Sequence, residues 1–348
     1  MAEKLRVGVA GHGWAASAHI PAIFATGLAD VVAVHSSRPS SDAELTARYG
    51  HSIRAVESFD ALLADPAIDV VDLTGLPKDH AHQSIAAARA SKHILVEKPM
   101  GMTLEEARAV HRAVKDARVS YCICFEVRYS NQFRALHGLL QAGFIGAVHL
   151  AEVDYYHGVG PWYGQYRWSH RKSEAGSSLL SAGCHALDAL LLMVGESVRP
   201  VEVTALATAS KSAHFRAYDF PTTQVNLVRF ENGCIGKTTS CLDALQPYHF
   251  RVHVLGSEGS IDGDRFHSEQ IDGSVRSRWS QLSCGVVDSG DVKDHPYEAQ
   301  FRAFFQSIVD GTPMPLTGVD AALRTHALLF AADHSAATGR TTGVEPIP

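Results

Sequence analysis

Short apolar runs alternate with helix-suited stretches through the first third of the chain. Leu5–Val9, Val31–His35, Ile68–Thr74, His93–Val96 and Val119–Phe125 read as buried strands. Between them, helices are expected from about Ala16 to Phe24, over Ser41–Tyr49, over His80–Ser91, and from Thr103 to about Ala117. Thr103 and Glu106 form a capping-box pattern that opens the last of these. This βαβα order predicts a parallel sheet covered on both faces, with ligands at the carboxyl ends of its strands.

Beyond Phe125 the pattern changes. A helix is expected over Asn131–Ala142, an alternating strand over Ala147–Tyr156 and an apolar helix over Ser177–Val194. Alternating strands follow at Val201–Ala207, Thr222–Phe230, Ile235–Cys241 and Phe250–Leu255, then helices at Tyr297–Val309 and Val319–Thr338. The 348 residues exceed one ordinary core, so two domains are expected, 1–125 and 126–348. A net charge of −6 offers no basic footprint for nucleic acid or an anionic membrane surface. No apolar run approaches the ~20 residues of a membrane helix. The N-terminus enters its first strand at once, which leaves no room for a signal peptide. The six cysteines are scattered, which suits a reduced, cytoplasmic setting rather than a disulfide framework, and no histidine spacing suggests a metal.

Chemistry enters at the first strand–helix junction. Gly11, Gly13 and Ala16 form G-x-G-x-x-A between a strand and a helix. Gly11 permits a tight turn, Gly13 lets backbone approach a pyrophosphate, and Ala16 lets helix pack on strand. The backbone of Gly11, Gly13, Trp14 and Ala15 then faces the phosphates of a dinucleotide at a helix N-terminus. An acid at the end of the second strand would mark NAD; here the strand continues into Ser36, Ser37 and Arg38. Two hydroxyls and a guanidinium favour the 2′-phosphate of NADP, with NAD as the alternative. Lys98 ends the His93–Val96 strand, where burial would lower its pKa towards use as a proton acceptor.

The glycine turn, Thr74-Gly-Leu-Pro77 with His80, and Glu97-Lys98-Pro99 together resemble the Gfo/Idh/MocA oxidoreductase family. The resemblance covers essentially the full length. It implies a Rossmann domain followed by an α/β domain with a large, mostly antiparallel sheet. It also implies a dinucleotide bound near Thr74, Leu76, His80, Glu97 and Lys98, with Lys98 close to the nicotinamide and a Lys98–Pro99 bond that can be cis. Pairing of sheets into a homodimer or homotetramer is a further implication.

In the second half, the segment from His157 to Lys172 concentrates aromatic and cationic residues. Tyr156, Trp162, Arg167 and His170 are candidate contacts for a polar, ring-shaped substrate, with rings stacking on a sugar face and cations bonding hydroxyls. Helical spacing puts Ser181, His185 and Asp188 on one face, where an acid could orient the histidine. The segment Gly183-Cys-His185-Ala-Leu-Asp188 resembles the family's D-x-G-x-H-x-x-D helix, which makes His185 a catalytic-site residue by resemblance. Arg128 stands where the family carries an Arg-Phe pair.

Two departures stand out. Glu126 occupies the place of a usual asparagine, and Ser181 the place of a usual aspartate. A hydroxyl cannot serve as that carboxylate base. Lys98, His185 or a tyrosine from the 155–166 segment then takes the proton, or the reaction differs. The leading expectation is hydride transfer between a nicotinamide cofactor and a secondary alcohol of a sugar, sugar derivative or cyclic polyol. The alternatives are an NAD(P)-dependent glycosidase working by transient oxidation, with an anionic sugar among its candidate substrates, and a non-catalytic sensor.

Overall fold

A computed structural model describes residues 4–38, 40–286 and 288–347. The chain divides into two compact units, Met1–Glu126 with Asp291–Leu323, and Val127–Gly290 with Arg324–Pro348.

The first unit holds strands β1 (Leu5–Ala10), β2 (Ala29–His35), β3 (Arg54–Val56), β4 (Val70–Leu73), β5 (His93–Val96) and β6 (Tyr121–Ile123). They form one sheet in the order β3-β2-β1-β4-β5-β6, with parallel pairing at each junction. The order reverses between β1 and β4, the place where open α/β sheets bind ligands. Helices α1 (Ala16–Ala25), α2 (Asp42–Tyr49), α3 (Phe59–Ala64), α4 (Pro77–Arg89) and α5 (Leu104–Ala117) connect the strands. Helix α4 starts at Pro77 rather than His80, because proline fits the first helical turn, where no N–H is needed. The Thr103 cap accepts from Glu106 N, while the Glu106 carboxylate reaches one residue further back, to Met102 N. Strand β3 and helix α3 were not expected. They are short, and only the Ser58 cap, which accepts from Ala61 N, marks them in sequence.

In the second unit, α6 (Asn131–Gln141) precedes β7 (Val148–Tyr156), the short helices α7 (Tyr166–Ser169) and α8 (Lys172–Ala175), and α9 (Cys184–Val194). Strands β8 (Pro200–Thr208), β9 (Thr223–Phe230), β10 (Ile235–Cys241), β11 (His249–Gly256), β12 (Gly259–Asp262), β13 (Arg265–Ser268), β14 (Ser280–Gln281) and β15 (Thr342–Gly343) complete a nine-stranded sheet. Its order is β14-β13-β12-β11-β7-β10-β9-β8-β15, antiparallel except for β7 against β10. One face is packed beneath α9, with Ala151, Val153, Tyr155, Val228 and Val252 buried. Helical structure runs from Lys172 to Val194, long and apolar enough for a membrane span, but its most apolar 18 residues are 94% buried inside the protein. It is the central core helix of this unit.

The expected second domain, 126–348, was continuous; in the structure Asp291–Leu323 belongs to the first unit. Helix α10 (Tyr297–Asp310) packs on α1, burying Phe301, Phe304 and Phe305, and Arg302 donates to Thr26 O at the end of α1 at 2.6 Å. Gln300 bonds Ile123 O at 2.8 Å, tying α10 to β6. Periodicity shows that α10 has an apolar face, not which core receives it. Helix α11 (Val319–Thr338) gives its first residues to the first unit and the rest to the second.

Candidate active site

At the β1–α1 turn, Gly11 has φ +107°, and a Cβ there would lie 2.8 Å from the Thr74 carbonyl carbon. Glycine is therefore required. Thr74 is buried and donates from its hydroxyl to Gly11 O at 3.0 Å, pinning the turn to the loop after β4. A Cβ at Gly13 would meet nothing within 4 Å, so the backbone here borders open space. Helix α1 has no side-chain cap at Ala15 and no acid in its first turn, so no anionic group of its own neutralises the positive end of its dipole. These features fit a dinucleotide phosphate. His80 bonds Pro99 O at 2.8 Å and Gly75 O at 3.4 Å, and burial lowers its pKa. It ties the Thr74–Leu76 loop to the Lys98–Pro99 turn, where the peptide bond is cis. Ser36, Ser37 and Arg38 follow β2; the Ser36 hydroxyl accepts from Arg38 N at 3.2 Å, and the Arg38 side chain is exposed.

Beneath the Lys98 turn lies a chain of buried charges. His19 on α1 bonds Asp72 on β4 through Nδ1 at 3.0 Å, and Glu97 at the end of β5 through Nε2 at 3.1 Å. Burial alone would strip the imidazole of its proton, but the two carboxylates outweigh it and raise its pKa to about 10. Burial likewise penalises the Glu97 carboxylate, yet His19, Lys98 and the Tyr297 hydroxyl, at 2.8 Å, bring its pKa down to about 2. Glu97 Oε2 accepts from the Lys98 backbone N–H at 3.2 Å. An ionised, fully bonded carboxylate thus fixes the backbone that carries Lys98. Lys98 itself is half-buried rather than enclosed.

A second acid sits close by. Glu126, one residue beyond Phe125, is 2% exposed, with Nδ1 of His295 at 3.5 Å from its Oε1. Burial, reinforced by the Glu97 carboxylate, pushes its pKa up to about 8. Burial pushes His295 down to about 4. Its ring also lies edge-on to Trp14 of the glycine turn, with centroids 6.5 Å apart. Sequence reading missed His19, Asp72, Tyr297 and His295. A histidine in the apolar run of α1 was the available signal for the first; the others have no local signature.

The second unit places its candidates differently. Arg128 was expected to touch substrate. Instead it is 2% exposed and donates to Asp188 through Nε at 2.6 Å and Nη2 at 2.8 Å, and through Nη1 to Glu196 at 2.6 Å. Thr325 completes the cluster with a 2.8 Å bond to Asp188. Asp188 therefore anchors Arg128, which corrects the expectation that it orients His185.

The expected helix over Ser177–Val194 is interrupted by a π-turn at Leu179–Gly183. A Cβ on Gly183 would collide with Ser240 of β10, so the turn can approach the sheet only with glycine there. Ser181 and His185 are both buried, and Tyr155 lies over His185 with ring centroids 6.5 Å apart. Tyr155 in turn bonds His157 Nδ1 at 2.7 Å. Tyr156, the expected contact, points to the opposite face of β7, because side chains alternate along a strand. There it bonds Asp154, which is paired with Lys237 at 2.7 Å.

Trp162 is 59% exposed and donates to Gly158 O at 3.0 Å, His170 donates through Nδ1 to Tyr166 O at 2.5 Å, and Arg167 is exposed. The structure brings Trp162 against Phe215 and His214, not against His185.

The description "Oxidoreductase family, NAD-binding Rossmann fold" matches residues 5–125, and "GFO/IDH/MocA C-terminal domain" matches residues 133–262. The chain is 29% identical to a 1,5-anhydro-D-fructose reductase of Ensifer adhaerens, over 94% of each protein. It is 24% identical to a myo-inositol 2-dehydrogenase of Thermotoga maritima, over 91% of this chain and 92% of that one. The fold is similar to that of a levoglucosan dehydrogenase solved with NADH and levoglucosan, with TM-score 0.84, 22% identity, and 99% and 100% of the two chains covered. A dinucleotide-shaped glycine turn, a charge-pinned Lys98 and matches to both domain descriptions lead to one assignment: the chain belongs to the Gfo/Idh/MocA family of oxidoreductases and is an NAD(P)-dependent dehydrogenase or reductase.

Proposed function

We propose that the enzyme interconverts a secondary alcohol and a ketone on a sugar, sugar derivative or cyclic polyol, with NADP as the preferred cofactor. The observation that carries this is the fixing of Lys98 at the carboxyl edge of the parallel sheet by ionised Glu97 and His19. When bound, the cofactor accepts or supplies the hydride at its nicotinamide ring. Gly11, Gly13, Trp14 and Ala15 hold its pyrophosphate, with Thr74, Leu76 and His80 shaping the neighbouring wall. Ser36, Ser37 and the exposed Arg38 receive the 2′-phosphate. Lys98 hydrogen-bonds the reacting oxygen and orients the carbinol, and His185 is assigned a catalytic role by the family helix that its segment resembles. Ser181 bonds a neighbouring hydroxyl of the ring. The relatives named for anhydrofructose and inositol support a carbohydrate-like substrate.

The open face of the large sheet exposes Leu206, Val225, Leu227 and Ile235. Leu206 and Val225 pair directly across β8 and β9. Such a patch fits self-association into a homodimer or homotetramer. The six thiols form no disulfide, in keeping with a reducing, cytoplasmic compartment.

The test is purified protein with NADP⁺ or NAD⁺ and a panel of inositols, anhydrosugars, aldoses and nitrophenyl glycosides, following reduced nicotinamide and nitrophenol together. Stoichiometric reduced cofactor, lost in Lys98→Ala, is the expected result. Aglycone release without net reduction would replace this reading with redox-assisted glycoside cleavage.

A further inference from the structure

Two carboxyl groups at the carboxyl edge of the parallel sheet have been given opposite surroundings. Glu97 accepts from His19, from the Tyr297 hydroxyl and from the Lys98 backbone. Glu126 is enclosed at 2% exposure, with Nδ1 of His295 at 3.5 Å from its carboxylate oxygen. Neither nitrogen of His295 has a hydrogen-bond partner among the described residues. A pair of acids whose environments push their ionisation apart is the arrangement that divides proton-handling roles in an active site. The same edge carries Lys98, and Trp14 of the glycine turn lies against His295.

We propose that Glu126 is the catalytic carboxyl group that exchanges the proton of the substrate hydroxyl, and that the redox state of the bound cofactor sets its protonation. This rests on the dehydrogenase reading above. In oxidation the substrate O–H bond breaks, its electron pair forms the carbonyl, the carbinol hydride goes to the oxidised nicotinamide, and the proton goes to the Glu126 carboxylate. Reduction reverses each movement, with Glu126 as the acid.

The charge logic follows from the groups that face Glu126. Glu97 repels its charge from the end of β5, while Lys98 and His19 attract it. Cys124, just beyond β6, and Tyr297 of α10 also face it and are held in their protonated forms by burial. Around His295, Asp291 and Asp294 oppose Lys98, and burial holds the ring neutral. In the free enzyme this balance favours the protonated form of Glu126. The oxidised nicotinamide adds a positive charge, which favours the carboxylate that oxidation requires; the reduced ring adds none. A protonated Glu126 is the form that carbonyl reduction requires. Neutral His295 is the positioning residue for the Glu126 carboxyl group.

The experiment is calorimetric titration of the whole enzyme with NADP⁺ and with NADPH at pH 7, in buffers of differing ionisation enthalpy, so that linked protons are counted. The oxidised form should release more protons than the reduced form, the difference approaching one per site. Glu126→Gln should abolish the difference while still binding both forms, and Glu126→Asp should retain it; if Gln fails to fold, Glu126→Asn carries the same test. Equal proton release for the two forms, or a difference that survives in the Gln variant, overturns the role of Glu126 and leaves the dehydrogenase reading intact. Failure of NADP(H) and NAD(H) alike to bind overturns both. On a substrate from the panel, Glu126→Gln should lower kcat by about 10²–10⁴-fold with little change in KM.

Discussion

Replacement of Arg128 by methionine tests whether this residue holds the fold or the substrate. The side chain is 2% exposed, and its donors are spent on Asp188 and Glu196. Methionine preserves much of the volume, so the main effect is electrostatic. Asp188, 1% exposed, then keeps the Thr325 hydroxyl but no cation. Leaving one member of a buried ion pair uncompensated costs about 3–5 kcal/mol. In urea the unfolding midpoint of Arg128→Met should fall accordingly, at unchanged slope. Adding Asp188→Leu removes the stranded charge, and the double variant should recover at least half of the loss.

The pH dependence has a definite sign. Stranded in the variant, Asp188 has a folded pKa above its unfolded value of about 3.9. Such a group destabilises the fold wherever the unfolded carboxyl would ionise, and the cost vanishes below that pKa, where both states are protonated. The deficit of Arg128→Met should therefore be full at pH 7 and shrink towards pH 4. A single variant losing under about 1 kcal/mol, or a double variant losing the sum of both singles, would refute the ion-pair account. A double variant of near-native stability with a strongly raised KM would return Arg128 to the substrate.

Other consequences follow from particular contacts. His19→Asn should lower stability, and the loss should depend on pH: a folded pKa of about 10 against 6.5 unfolded means that the stabilisation is complete below pH 6.5 and disappears as pH rises through 10. Thermal melts from pH 6 to 10.5 should thus bring wild type and variant together at the alkaline end. Gly183→Ala should cost about 1–3 kcal/mol by forcing a methyl against Ser240, and Ser240→Gly should suppress much of that loss in urea melts. Arg38→Ala should weaken NADPH binding about tenfold or more while leaving NADH within about twofold, as read by fluorescence titration. Leu206→Glu with Leu227→Glu should shift the protein to monomer in light scattering if the exposed sheet face is the self-association surface.

What the sequence by itself determined is what repeats locally. Runs of Val, Ile and Leu separated by helix-forming stretches define the parallel strands, Gly11 defines a turn that only glycine can make, and Thr103 announces its helix. The alternating pattern likewise marks β7 to β11 almost residue by residue. The tertiary structure decided which surfaces and charges meet. It put α10 in the first unit, because an amphipathic helix carries no label for its partner. It turned Arg128 inward, since one guanidinium fits a substrate carboxylate and a buried Asp188 equally well. It inserted a π-turn before His185 that shifts the helical register, and strand alternation there selects Tyr155 over Tyr156. Most of all, it assembled His19, Asp72, Glu97, Glu126, His295 and Tyr297 from distant parts of the chain. Their ionisation is set by burial and by one another, and neither quantity exists until the chain has folded.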